Sequence, residues 1–149
     1  RLKLKLENGN SGIYYRSRER AGMEKEALIG PQADFSADGR WTGVIMEYTL
    51  REILAERGQK VVIYKGGRKE VVGSVGDPEE LLKHVKDKQW NDYTIIAKGG
   101  HIVLKINDVV MCKLEDGDPR MPRSGKLALQ VHRGPDMLVQ FKNIRIRQF

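Results

Sequence analysis

Hydrophobic and polar residues alternate along most of the chain, with the period of two that a β-strand shows when one face meets water. Leu2, Leu4 and Leu6, for example, alternate with charged residues. The segments predicted as strands are 2–6, 13–15, 41–48, 60–65, 93–97, 101–106, 109–114, 126–132 and 137–146. Turn-forming residues separate them, and Lys98-Gly99-Gly100 is typical of a tight hairpin. A series of short strands joined by turns predicts an all-β fold, an antiparallel β-sandwich.

Two segments depart from this alternation and predict short helices. Three apolar residues at helical spacing follow Thr49, which could serve as the N-cap, and Gly58 could end that helix. Asp77-Pro78-Glu79-Glu80 is a stronger helix start, with a capping residue, a proline at the first helical position and early acids. We therefore expect a helical insertion region at 49–88 within the sandwich.

The last predicted strand contains an irregularity in its alternation. Val139 and Phe141 share one face, whereas Ile144 and Ile146 fall on the opposite face. One extra residue in a strand reverses the pleat. A bulge near Asn143 would therefore bring all four apolar side chains to the core.

Composition narrows the class of protein. The chain has 149 residues and 40% hydrophobic residues, which fits one globular domain over 1–149. Its only cysteine, Cys112, excludes a disulfide within the chain, and no apolar stretch is long enough to span a membrane. The net charge is +7, but the basic residues are scattered rather than clustered, so we expect no specific nucleic-acid binding.

Four segments of the chain carry a more specific signal. They are NSGIYYRSR at 10–18, WNDY followed by AKGGHI within 90–102, GKLALQVH at 125–132 and VQFKNIRI at 139–146. In this order they resemble the family of 3-keto-disaccharide hydrolase domains, also called DUF1080. The resemblance implies a concanavalin A-like, laminin G-like jelly-roll sandwich and sugar chemistry in an exported bacterial protein, periplasmic or extracellular. It also implies that the first strand of the family lies before Arg1.

The pleat of the predicted strands brings together a set of polar side chains. Gln130 and His132 share one face of their strand, and Gln32 and Asp34 share one face of theirs. Tyr14, Arg16 and Arg18 share a third face, and Glu47 lies on another predicted strand. Amide, carboxylate and guanidinium groups beside an aromatic ring suit a polyhydroxylated ligand. We therefore predict a carbohydrate site on the concave sheet, although each residue also has a structural interpretation as surface charge, turn cap or packing.

The chemistry expected of this site depends on the substrate. Ordinary glycosidases use two carboxylates, for which Asp34 and Glu47 are the candidates on strands. A 3-keto sugar, which the resemblance implies, needs only one base and a group that stabilises the enolate. The base would be His132 or Asp34, with Arg16 and Gln130 as oxyanion stabilisers, and Gln32, Tyr14, Arg18 and Glu47 would bind substrate.

No cofactor follows from the sequence, and several functional classes remain as alternatives. No motif with metal-ligand spacing is present, although acidic turns such as Asp116–Asp118 are candidates for a structural calcium ion. The first interpretation is a glycoside hydrolase acting on 3-keto sugars. The alternative is a non-catalytic carbohydrate-binding or protein-interaction module of a larger exported protein.

Overall fold

Two β-sheets face each other in the structure, a computed structural model that describes residues 1–19, 28–48 and 50–148. Within these residues the strands are β1 (Leu2–Glu7), β2 (Asn10–Glu19), β3 (Leu28–Ile29), β4 (Gln32–Ser36), β5 (Ile45–Glu47), β6 (Glu52–Ala55), β7 (Gln59–Ile63), β8 (Lys69–Ser74), β9 (Asn91–Lys98), β10 (His101–Ile106), β11 (Val109–Asp116), β12 (Lys126–Leu129) and β13 (Leu138–Lys142). A short helix, α1 (Pro78–Leu82), precedes β9.

The strand order confirms the predicted β-sandwich. The seven-stranded sheet has the order β13-β1-β9-β10-β11-β7-β8, and the second sheet has the order β12-β2-β4-β5-β6, with β3 paired to β2. All pairs are antiparallel except that of β11 with β7, which is parallel. Among the described residues we find no helix with the length and apolar character needed to cross a bilayer.

The core consists of alternate side chains from the inner faces of the two sheets. Leu4 of β1 and Leu104 of β10 are completely buried in the seven-stranded sheet, and Ile45 of β5 is completely buried in the other. The rings of Phe35 and Tyr93 meet across the sandwich edge-to-face, with centroids 5.9 Å apart. Burial of these alternating apolar residues is the dominant favourable contribution to folding.

The prediction of a helix at 49–58 is wrong, because this segment contains strand β6. Ala55 of β6 pairs with Ile45 of β5, and both residues are completely buried. An isolated helix of this length is marginal in water, whereas pairing with β5 satisfies the backbone and buries apolar surface. The cap predicted at Thr49 lies outside the described residues. The described part of the insertion region, 50–88, therefore contains three strands and one helix.

The second predicted helix is confirmed as α1. The Asp77 carboxylate is its N-cap and accepts hydrogen bonds from the backbone N–H groups of Glu79 and Glu80, at 2.9 and 3.0 Å. Pro78 occupies the first turn, where the missing N–H costs nothing. Leu81 is the buried residue of this helix and packs into the core cluster.

The prediction that a bulge near Asn143 carries four residues into the core is wrong for two of them. Val139 and Phe141 pack against the core, but Ile144 and Ile146 are exposed. Asn143 has a positive φ of 55°, and β13 ends one residue before it. The left-handed residue therefore turns the chain out of the sheet instead of restoring the pleat.

Candidate functional site

Strand β4 divides its side chains between the core and the outer face of its sheet. Ala33 and Phe35 are core residues, and Gln32 and Asp34 alternate with them on the opposite face. Strand β2 lies beside β4 and places Gly12 opposite Asp34 and Tyr14 opposite Gln32. Directly opposed residues point to the same face. These residues form what we call the outer-face site, together with Gln130, which follows β12.

Hydrogen bonds through the Gln32 amide join β4 to the segment that follows β12. Gln32 Nε2 donates to Asp34 Oδ1 and to Gln130 Oε1, both at 2.6 Å. Gln130 is held by its backbone, since its N–H donates to the Gly12 carbonyl and its carbonyl accepts from Ser11 Oγ. Both hydrogens of the Gln32 amide are therefore used, which fixes its orientation and that of the Asp34 carboxyl group.

The Asp34 carboxyl group titrates in an unusual range for an aspartate. Only 4% of the residue is exposed, and this burial raises the pKa of Asp34 to about 7. The core fixes the position of the residue, because its carbonyl accepts hydrogen bonds from the Tyr93 hydroxyl and the Gly43 N–H. A rigidly placed carboxyl group with a pKa near neutrality is suited to acid–base chemistry.

Tyr14 lies near this carboxyl group, on the neighbouring strand. Tyr14 is half-buried. Its pKa is raised mainly by burial and, to a smaller extent, by the charges of Asp34 and Tyr48. Asp34 and Tyr48 each lie close enough to Tyr14 to act on its pKa. Sequence reasoning did not select Tyr48. Tyr48 lies in the turn that directly follows β5, where strand alternation does not assign a face.

Gly12 leaves the space that the Gln32 and Asp34 side chains occupy. A Cβ atom at this position would lie 2.3 Å from Gln32 Nε2, 2.9 Å from Gln32 Cγ and 2.9 Å from Asp34 Oδ1. No side chain other than hydrogen fits between these groups. Gly12 is thus a second component of the site that residue chemistry alone did not indicate.

Gly12→Ala is therefore expected to disturb the outer-face site. The added methyl group must displace Gln32, which breaks its hydrogen bonds to Asp34 and Gln130, and overpacking of this kind costs about 1–3 kcal/mol of stability. We expect ligand binding or turnover to fall by about tenfold or more. Titration calorimetry or a turnover assay would measure this loss. Gly134→Ala is the matched control, since no atom lies within 4 Å of its Cβ position, and an equal loss in both variants would contradict the assignment.

Comparison with protein families now adds to this geometry. Residues 1–147 match the family described as the 3-keto-alpha-glucoside-1,2-lyase-like domain. The chain belongs to this family. The resemblance drawn from the four sequence segments is thereby confirmed, and the match includes every residue of the outer-face site. A search of curated proteins finds no match.

In this lyase-like domain Arg16 does not share the face of Tyr14, contrary to expectation. Arg16 has a positive φ of 53°, which reverses the alternation of β2 at this residue. Its guanidinium group crosses to the other sheet and donates to the carbonyls of Gly99 and Ala97, at 2.7 and 2.8 Å. The side chain therefore braces the hairpin of β9 and β10 and does not reach the outer-face site.

Arg16 instead lines a large cleft at one edge of the sandwich. The cleft has a volume of about 740 Å³ and lies between the sheets, where Leu127 and Leu129 of β12 and Ile144 and Ile146 of the tail remain exposed. Its basic lining residues are Arg1, Arg16, Lys98, Arg123, Arg145 and Arg147. Since Ile13 and Tyr15 also line it, the cleft and the outer-face site lie on opposite faces of β2.

Glu47 also lies away from the expected face. Its carboxylate points into the sandwich, is 1% exposed and forms an ion pair with Arg51 Nε. Arg51 Nη1 donates in turn to Asp116 Oδ2 of β11, at 2.7 Å. Alternation explains this position, because Glu47 follows the core residue Ile45 at a spacing of two. Glu47 therefore belongs to a buried ion-pair network between the sheets.

The remaining two predicted residues are exposed. Arg18 lies near the end of β2, where it pairs through its backbone with Ile29. His132 lies in the coil that follows β12, two residues after Gln130. Neither Arg18 nor His132 is held in place by a side-chain hydrogen bond to the described part of the chain. Their roles in substrate binding and catalysis stay predictions.

The acidic turn considered for calcium does not fit that ion. Asp116 pairs with Arg51, and Asp118 pairs with Arg120 Nη2 at 2.7 Å. The hydrogen bonds from Arg120 lower the pKa of Asp118 to about 2. Among the described residues, no group of three or more histidine, cysteine, aspartate or glutamate side chains could hold a metal. Arginine side chains thus already neutralise the carboxylates that would bind calcium.

Proposed function

We propose that the domain cleaves 3-keto glycosides by ketone-assisted elimination, with Asp34 as the base. The observation that carries this proposal is the buried Asp34 carboxyl group, oriented by Gln32 on a polar face of a chain that belongs to the lyase-like family. The description of that family names a 1,2-lyase of 3-keto glucosides. Elimination across C1 and C2 needs one base, which agrees with a site that contains one suitable carboxylate.

The proposed reaction begins with proton transfer from C2 of the sugar to Asp34. The C3 ketone acidifies this proton, since the electron pair of the broken C2–H bond is delocalised onto the C3 oxygen as an enolate. The enolate then re-forms the ketone, a C1=C2 double bond forms and the C1–O bond breaks. The leaving oxygen takes up a proton and departs as an alcohol. Later addition of water across the double bond would make the net reaction a hydrolysis.

The neighbouring groups have distinct roles in this proposal. Gln130 uses its Oε1 atom to accept from Gln32, so its amide N–H groups are the donors for a sugar hydroxyl or the enolate oxygen. Tyr14 stays a neutral phenol, because its pKa is raised, and can donate a hydrogen bond. His132 is the second candidate for proton transfer and would act on the leaving oxygen from the exposed side.

Turnover should depend on the protonation of Asp34. A base must be deprotonated, and the pKa of Asp34 is about 7, so kcat/KM is expected to rise with pH through a midpoint near 7 and then level off. An ordinary aspartate would give a profile that is already flat at pH 5. Initial rates between pH 5 and 9 would measure the profile. A flat profile over this range would assign the base to another group.

The function itself is tested by proton NMR of the protein mixed with a 3-keto glucoside and, separately, with its unoxidised parent sugar, with and without EDTA. We expect cleavage of the oxidised sugar only, unaffected by EDTA. Sugar resonances that shift without cleavage would instead support the non-catalytic carbohydrate-binding module. Since the family resemblance implies exported bacterial proteins, we further propose a periplasmic or extracellular location and a carbohydrate partner.

A further inference from the structure

The large cleft at the edge of the sandwich plays no part in the proposed elimination. Leu127 and Leu129 of β12 line it, as do Ile144 and Ile146 after β13, and each of the four is between 41% and 69% exposed. Exposed apolar residues that are grouped around one cavity indicate an interaction site, whereas scattered ones do not. The cleft therefore offers a surface from which a bound apolar group would displace water.

The backbone of β12 borders this cleft. Leu127, Ala128 and Leu129 all line it, although consecutive side chains of a strand point to opposite faces, so the edge of the strand itself faces the cleft. β12 is the terminal strand of its sheet and pairs only with β2 among the described strands. A terminal strand leaves one row of backbone N–H and C=O groups without a strand partner. An extended segment can pair with this row and place alternate side chains against Leu127 and Leu129.

Two arginines of the cleft lie together at the β9–β10 hairpin. Arg16 donates to the Gly99 carbonyl at 2.7 Å, and a Cβ atom placed on Gly100 would lie 3.4 Å from Arg123 Nη1. Burial lowers the pKa of Arg16, and the charge of Arg123 lowers it further. Neither arginine forms an ion pair with a carboxylate of the described residues, and none of the described lining residues is acidic. Two neighbouring cations without a counter-charge favour the binding of an anionic group.

The charge of the cleft decides between the possible occupants. In a symmetric dimer that joined two copies through β12, the same basic residues would meet across the twofold axis and repel each other. Carboxylates on an incoming acidic strand would instead neutralise them. We propose that the cleft binds an extended acidic peptide segment of a partner protein, which adds to the free edge of β12 as a further strand. Its apolar side chains occupy the cleft, and one of its carboxylates binds at Arg16 and Arg123.

The probe for this proposal is a fluorescein-labelled peptide of four Leu-Glu repeats, titrated into the full-length protein at low ionic strength and followed by fluorescence anisotropy. We expect saturable binding that weakens as salt is added, and no binding of the matching Leu-Lys peptide. Arg123→Glu should raise the Kd by at least about tenfold. Arg68→Glu is the matched control and should leave the Kd unchanged, because Arg68 is exposed in the β7–β8 hairpin, at the opposite end of its sheet from β13.

A second peptide tests whether the probe pairs with the strand edge. Methylation of its leucine nitrogens keeps the charges and side chains but removes backbone N–H donors, so this peptide should bind at least about tenfold more weakly. Equal binding of both peptides, or no binding of either, would overturn the inference. Sedimentation of the protein as a dimer that the Leu-Glu peptide does not dissociate would also overturn it, since a second copy would then cover the cleft. None of these outcomes bears on the elimination at Asp34, which is tested separately.

Discussion

Asp34→Asn is expected to abolish turnover of 3-keto glycosides and, at the same time, to stabilise the protein above pH 7. Asparagine has the shape of aspartate, and its Oδ1 can still accept the hydrogen bond from Gln32 Nε2 that the carboxylate accepts at 2.6 Å. It cannot take the C2 proton, so we expect a loss in kcat of at least about a thousandfold. The measurement is an initial rate with a 3-keto glucoside at pH 8.

The stabilising effect follows from the direction of the pKa shift. The pKa of Asp34 is about 7 in the folded protein and 3.8 in the reference state, so the folded state holds the proton more tightly. The contribution of this group to the free energy of unfolding is therefore largest below about pH 4. It decreases as the pH rises from about 4 to 7. Above pH 7 the buried charge costs on the order of 4 kcal/mol, which asparagine does not incur.

Urea unfolding at pH 4 and pH 8 would test this expectation. At pH 8 Asp34→Asn should exceed the wild type in stability by about 2 kcal/mol or more, and at pH 4 the two proteins should be similar. Asp108→Asn, in the exposed turn between β10 and β11, should change neither activity nor stability at either pH. If Asp34→Asn is less stable than the wild type at pH 8, the carboxylate has a structural role instead.

The second large effect is expected for Arg51→Met, which should destabilise the protein by about 3–5 kcal/mol. Arg51 separates two buried carboxylates, since Glu47 and Asp116 both pair with its guanidinium group. Removing it leaves two buried negative charges without a partner. Urea unfolding at pH 7 would measure the loss. Arg68→Met, which breaks an exposed pair with Glu70, should cost less than about 1 kcal/mol.

A triple variant separates the loss of charge pairing from the loss of packing. Combining Arg51→Met with Glu47→Gln and Asp116→Asn removes the uncompensated charges and should recover much of the stability. The network lies between the sheets, so kcat measured below the unfolding temperature should stay close to that of the wild type. A large loss of kcat in the folded triple variant would instead support the predicted role of Glu47 in binding the substrate.

Strict alternation explains which parts of the structure were predictable from sequence. Strands such as β1 and β10 alternate without interruption, and their buried faces agree with the prediction. The same rule placed Gln32 and Asp34 together, because β4 has no irregularity. It failed at Arg16 and Asn143, where a non-glycine residue adopts a positive φ that no local pattern announces.

Contacts between distant parts of the chain account for the other differences. The helical spacing after Thr49 is real, but pairing with β5 is a tertiary interaction that decides the conformation of β6. Glu47 was assigned to the site because nothing in the sequence indicates that Arg51 and Asp116 meet it inside the sandwich. The importance of Gly12 likewise depends on side chains from β4, which the sequence separates from it by about twenty residues.

The alternation of core residues and site residues along β4 limits which sequence changes this strand can accept. Ala33 and Phe35 belong to the core, while Gln32 and Asp34, interleaved with them, belong to the site. A substitution in this strand alters one side or the other. Insertion or deletion of a single residue would exchange the two sets, placing a carboxylate in the core and a phenyl ring on the surface. A single substitution in this strand thus affects either the core or the site, whereas a change in its length affects both at once.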